Sequence, residues 1–158
     1  MSDLNQFLAS EVSPGDTVLD IGCGDKCRTR LLKDNKVFTV DAWDKVKPDL
    51  LIDLEVEPLP LGENSFDIIF MIDFIEHLSR EAGMRVLAQA KEICRKKIIL
   101  LTPLWWQDNS VNVNNPSLWC YGNPYDYHKS LWKLEDFEGW VPRNYGNYFL
   151  GTWKRGEL

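Results

Sequence analysis

Apolar positions along this chain follow two different spacings. Leu4, Phe7, Leu8 and Val12 recur every three or four residues, which predicts an amphipathic helix over residues 3–12. Ser2 or Asp3 is its candidate cap, and Pro14-Gly15 stops it. After it come runs of strand length that are apolar almost throughout: 17–21, 37–40, 50–52, 66–72 and 98–101. A short helix carrying Leu31 and Leu32 is predicted between the first two runs. A longer one is predicted over 79–94, with Met84, Leu87, Ala88, Lys91 and Cys94 down one side and Gly83 as its weak point. Strands that are apolar rather than alternating are the mark of a parallel sheet covered on both faces. The alternation of strand and helix over 17–102 therefore predicts a doubly wound α/β fold. Ligands in such folds bind beyond the carboxyl ends of the strands. Here those ends carry Asp20, Asp41, Asp53 and Asp73.

Composition narrows the picture. The 158 residues suit one domain, and 44% hydrophobic with 27% charged residues excludes wholesale disorder. Eighteen Lys and Arg against 24 Asp and Glu leave a net charge of −6, which argues against nucleic acid as a partner. No apolar run approaches the ~20 residues of a membrane span. Met1-Ser2-Asp3-Leu4 does not read as a secretory signal, and four cysteines do not make a disulfide scaffold, so a reduced, cytoplasmic protein is expected. The aromatics are unevenly placed. Of seven tryptophans only Trp43 precedes residue 105, and all five tyrosines follow residue 120. A single domain is expected, with a cofactor-binding part over 1–103 and an aromatic-rich, substrate-side part over 104–158.

The loop after the first strand reads Gly22-Cys23-Gly24-Asp25-Lys26-Cys27, and Asp41 stands 19 residues beyond Gly22. Strand, Gly-x-Gly, helix, strand, acid is a nucleotide-site order in which the acid takes ribose hydroxyls. Cys27 occupies the place of the third glycine of a dinucleotide fingerprint, and Lys26-Cys27 does not complete a Walker loop. The segment Val18-Leu19-Asp20-Ile21-Gly22-Cys23-Gly24 instead resembles motif I of the class I S-adenosylmethionine-dependent methyltransferases. Asp53-Leu54, Pro58-Leu59-Pro60, Ser65-Phe66-Asp67-Ile68-Ile69 and Ile75-Glu76-His77-Leu78 extend the likeness, most closely to small methyltransferase type 11-like domains.

The resemblance implies a Rossmann-like sheet of about seven strands, mostly parallel with an antiparallel C-terminal strand, and helices on both faces. It implies S-adenosylmethionine as cofactor and S-adenosylhomocysteine as product. Asp20 and the backbone of Gly22, Cys23 and Gly24 would hold the methionine end. Asp41 would take the ribose hydroxyls, Ala42 or Trp43 the adenine, and Asp53 with Leu54 the adenine edge. Asp73 and His77 would line the methionine moiety. Two departures stand out: Lys26 replaces a frequent glycine, which excludes a glycine-only backbone conformation there, and Arg95-Lys96-Lys97 replaces the usual turn before the fifth strand.

The aromatic third carries an Asn-x4-His-x-Ser-x-Trp-x3-Asp-Phe pattern from Asn123 to Phe137, similar to one in some small methyltransferases. That likeness predicts a helix over 131–138 and an edge pair of strands at 139–141 and 148–151. It also puts 104–128 over the transferred methyl. His128 is then the candidate general base or substrate contact, otherwise a structural histidine, and Trp105, Trp106 and Tyr125 are substrate-side candidates. No metal is expected, because Cys23 and Cys27 lack partners at ligand spacing. The implied reaction moves a methyl to an O, N or C nucleophile of a small-molecule, glycan or protein acceptor. The alternatives are a cofactor-binding, non-catalytic partner subunit and a nicotinamide-dependent oxidoreductase.

Overall fold

The computed structural model describes residues 3–156, so Met1 and Ser2, the latter a candidate cap, lie outside the described residues. The first helix, α1, spans Asp3–Ser10. Strands β1 (Thr17–Ile21), β2 (Lys36–Asp41), β3 (Leu50–Leu51) and β4 (Phe66–Ile72) follow. Helix α2 (Arg80–Ile93) runs directly into β5 (Cys94–Pro103). A four-residue helix α3 (Ser110–Val113) precedes the terminal strands β6 (Val141–Tyr145) and β7 (Tyr148–Lys154). All seven strands form one sheet in the order β3-β2-β1-β4-β5-β7-β6. Pairs among β1 to β5 are parallel, and β7 is antiparallel to both β5 and β6.

Two-sided coverage explains the uniformly apolar strands. Leu19, Ile21, Ile69, Met71, Ile98 and Leu100 pack on the α2 side. Their neighbours Val18, Ile68, Phe70, Ile72, Ile99 and Leu101 pack with Leu4 and Leu8 of α1 on the other. Successive strand residues point to opposite faces, so both must be apolar when both faces are covered. The strand order turns outward on either side of β1, which opens a crevice at the carboxyl ends of β1 and β4.

Several expected elements come out differently. The predicted helix at Leu31 and Leu32 is replaced by a 3-10 turn over Cys27–Thr29, although Leu32 still packs into the α1-side core. Lys26 does adopt the left-handed conformation, at φ 61°, with its Nζ donating to the Lys47 carbonyl at 2.6 Å. The buried stripe of α2 is Ala82, Gly83, Val86, Leu87, Ala90 and Ile93, while Met84 and Ala88 face outward. Gly83 is there because the Trp132 ring lies on it: a Cβ would sit 2.5 Å from that ring. β5 begins before Arg95-Lys96-Lys97, whose side chains pair with Asp67, Asp16 and Glu11. The predicted helix over 131–138 is only a 3-10 turn, Leu134–Phe137. β6 starts at Val141, since Gly139 turns at φ 83° and Trp140 is buried.

The aromatic third takes the place of missing helices. Trp132, Phe137, Trp140 and Phe149 join the α2-side core, with Phe137 and Phe149 stacked at 4.0 Å. Each such burial contributes about 1.5–3 kcal/mol.

Candidate functional site

The chain leaves β1 through a tight glycine turn. Gly22 lies at φ 73° and Gly24 at φ 49°, conformations that favour glycine. Close packing reinforces the choice, because a Cβ on Gly22 would fall 2.3 Å from the Phe74 ring and one on Gly24 2.8 Å from Trp119. The turn is tied to the end of β2. Gly22 N donates to the Val40 carbonyl at 2.8 Å. Asp41 accepts from Gly24 N at 3.0 Å through one oxygen and from Trp43 N at 2.9 Å through the other.

At the end of β4, Asp73 is held at φ 51° and pairs with Arg28 at 3.2 Å. A 3-10 turn over Ile75–His77 follows. A segment from the last third straps across that turn. Lys129 N and Ser130 N both donate to the Glu76 carbonyl, at 2.7 and 3.1 Å. Ser130 Oγ donates to the Ile75 carbonyl at 3.3 Å and accepts from Trp132 Nε1 at 2.9 Å. His128 N donates to Asn109 Oδ1 at 2.9 Å. The His-x-Ser-x-Trp spacing thus anchors a buried indole, locks a hydroxyl to the turn and leaves the imidazole facing inward. Its ring meets that of His77 edge-on, with centroids 4.8 Å apart.

These parts enclose a cavity of about 370 Å³ beyond the strand ends, within the ~300–1,000 Å³ of small-molecule sites. Gly22, Cys23 and Gly24 line it from the β1 turn, and Asp41 and Ala42 from β2. Asp53 and Leu54 enter after β3, Asp73 and His77 after β4, and Tyr125 and His128 from the last third. Four expected site residues stand elsewhere. Asp20 is buried within β1 behind the wall. Trp43 is also buried, against Trp119 at 6.4 Å. Trp105 rests edge-on against Tyr148, itself a wall residue, and Trp106 is exposed.

The sequence profile of a methyltransferase domain family matches residues 19–101, more than half of the chain. The chain belongs to that family. Solved structures agree on the fold. An S-adenosylhomocysteine-bound 1,6-didemethyltoxoflavin N1-methyltransferase from Burkholderia thailandensis is 13% identical, with TM-score 0.63 over 96% of this chain and 76% of that one. The S-adenosylhomocysteine-bound magnesium protoporphyrin IX methyltransferase of Synechocystis is 14% identical, with TM-score 0.63 over 97% and 80%. A Rhodobacter sphaeroides protein named for Zn-dependent alcohol dehydrogenases shares the same fold at 16% identity, with TM-score 0.68 over 98% and 90%. No curated protein matches the chain.

In this methyltransferase domain the cavity is strongly acidic. Asp25, Asp41, Asp53, Asp73, Glu76 and Asp126 line it against Arg28 and Lys129. Burial, then the charge of Asp41, raises Asp20 to about 7, and its Oδ2 has no hydrogen-bond partner. Burial, then Asp73, pushes Glu76 up to about 8, while burial raises Asp126 to about 6. Burial, then His128, lowers His77 to about 4, and burial lowers His128 as well. Cys23 is pushed up to about 12 by burial, so its thiol is inert. Arg28, Glu76, Trp119 and Asp126 were not singled out for the cavity from sequence. Arg28 follows the glycine turn closely enough to have been a candidate, whereas Trp119 and Asp126 arrive only through the folding of the last third. Among the described residues no helix is long and apolar enough to cross a membrane.

Proposed function

We propose that this chain binds S-adenosylmethionine in the acidic cavity and transfers its methyl group to an acceptor entering from the aromatic side. The observation that carries this reading is the donor set beyond the strand ends: a glycine turn, many carboxyls and one nearby guanidinium. A sulfonium and an ammonium suit such a wall, and a pyrophosphate does not. Asp41 would take the ribose hydroxyls, Asp53 with Leu54 the adenine edge, and Ala42 the adenine face. The turn at Gly22 and Gly24 would meet the methionine end, with Asp73 near its ammonium and Arg28 near its carboxylate. When bound, the cofactor supplies a methyl already activated by its positive sulfur.

This chain's own residues then have a positioning task. Alignment of two reactants is worth up to ~7–11 kcal/mol. Trp119 over Gly24 and Phe74 over Gly22 shield the turn from water. Tyr125, Asn109 and His128 form the wall facing the acceptor, and Trp105 and Trp106 would touch only a large acceptor that reaches past Tyr148. The four free thiols support a reduced, cytoplasmic setting. Calorimetry with S-adenosylmethionine, S-adenosylhomocysteine and NAD tests the cofactor: the first two bind and NAD does not. Binding of NAD alone would overturn the proposal. Labelled methyl transfer to metabolite, glycan and peptide acceptors tests catalysis, and binding without any transfer favours the non-catalytic partner subunit.

A further inference from the structure

Beside the glycine turn, the cavity contains a second cluster, of which only His77 is also expected to line the methionine moiety. One carboxylate oxygen of Glu76 and one ring nitrogen each of His77 and His128 all lie within 4.8 Å of one another. Two imidazoles and a carboxylate with open positions form a donor set for first-row divalent cations. Ligand atoms around such an ion sit ~2.0–2.2 Å from it, so binding one draws these atoms closer together than the 4.8 Å that now spans them.

Three further observations point the same way. Glu76 is only 2% exposed, a costly place for a carboxylate with no cation beside it. The Thr102 hydroxyl donates to its Oε2 at 3.0 Å, the kind of outer contact that orients a metal-ligating carboxylate. The Nδ1 of His77 is buried and makes no hydrogen bond, so one of the cluster's residues has an imidazole nitrogen without a partner. The cluster is also held in place by backbone: Glu76 and His77 share one 3-10 turn, and the Glu76 carbonyl receives the two N–H groups that follow His128. Asp126 approaches His77 Nε2 at 3.9 Å and adds negative charge at its edge.

We propose that Glu76, His77 and His128 hold a divalent first-row transition cation, and that this cation receives an oxygen of the methyl acceptor on its cavity side. The inference rests on the methyltransferase reading for the acceptor, but not for the metal itself. It revises the role of His128. An imidazole nitrogen that ligates a metal is not free to take a proton, so His128 acts by holding the ion rather than as a free base. The acceptor class narrows accordingly, to molecules presenting a hydroxyl or carboxylate oxygen to a Lewis acid.

Cobalt(II) is the probe, because its visible absorption reports coordination directly. Full-length protein stripped with a chelator should bind one Co²⁺ per chain, displaceable by Zn²⁺, without the intense near-ultraviolet bands of thiolate ligation. His128→Asn and Glu76→Gln should each weaken Co²⁺ binding at least ~10-fold, the least that loss of even a supporting group costs at such sites. Thermal melting and S-adenosylmethionine calorimetry on the same variants report folding and the cofactor site separately. Absence of saturable Co²⁺ binding by the unmodified chain would overturn the proposal, as would thiolate bands or unchanged affinity in folded variants. Cofactor binding without Co²⁺ binding refutes the metal alone, and Co²⁺ binding without cofactor binding refutes the methyltransferase reading alone.

Discussion

Replacing Gly83 by alanine sets two effects of opposite sign against each other. Within α2, alanine is favoured over glycine by about 0.8–1.0 kcal/mol through backbone entropy. Packing opposes this. The new Cβ would sit 2.5 Å from Trp132 Cζ2 and 3.0 Å from Cη2, where carbon atoms prefer ~3.5–4.0 Å. The indole must therefore retreat by roughly an ångström, and it has little freedom to do so. It is fully buried, its Nε1 donates to Ser130, and the Arg80 guanidinium lies 4.7 Å from its centroid. Overpacking of this kind costs about 1–3 kcal/mol, so packing wins and Gly83→Ala should destabilise by up to about 2 kcal/mol. Urea denaturation checks this as a lower midpoint at unchanged slope. In a Trp132→Phe background the atoms that clash are gone, so the same substitution should stabilise, giving a coupling of about 1–3 kcal/mol. A gain of about 1 kcal/mol in the unmodified chain, or no coupling in the cycle, would refute the reasoning.

Other outcomes follow from the same geometry. Asp41→Ala removes the carboxylate that ties Gly24 N and Trp43 N together; loss of a charge-assisted bond worth about 1.5–3 kcal/mol should weaken S-adenosylmethionine binding roughly 10- to 150-fold by calorimetry. Trp119→Ala uncovers the glycine turn, and loss of an aromatic contact worth about 0.5–1.5 kcal/mol should raise the cofactor Kd about 2- to 12-fold with little change in melting temperature. Asp67 accepts from Arg95 first of all, then from Thr17 N and Thr17 Oγ1, which together hold its carboxyl well below the usual carboxylate range. Its folded pKa is lower than its unfolded value near ~3.9, so its contribution is present at neutral pH and fades as pH falls below about 4. Asp67→Asn should therefore cost about 2 kcal/mol at pH 7, and denaturation midpoints measured from pH 7 to pH 3 should fall less steeply in the variant.

What local sequence determines here is what neighbouring residues can enforce by themselves. An uninterrupted apolar run such as 66–72 has few ways to hide except in a sheet covered on both sides, so β1, β2 and β4 emerge close to where the pattern put them. The acids that close those strands and the glycines that turn away from β1 are equally local, which is why much of the cofactor side of the cavity was readable. Where residues far apart in the chain compete with local preference, the reading fails. Met84 is apolar yet exposed, because the buried face of α2 is chosen by Trp132, 49 residues beyond Gly83. Lys26 is left-handed against its own preference, its Nζ held by the Lys47 carbonyl. Asp20 reads as a strand-end acid, but the register of β1 with β2 and β4 buries it behind the wall. His77 and His128 are separate candidates in the sequence, with nothing to pair them; the hydrogen bonds of Lys129 N and Ser130 N to the Glu76 carbonyl bring their rings to 4.8 Å. Local spacing carries no record of such long-range packing, because the free energy that selects it is released only when the distant partners meet.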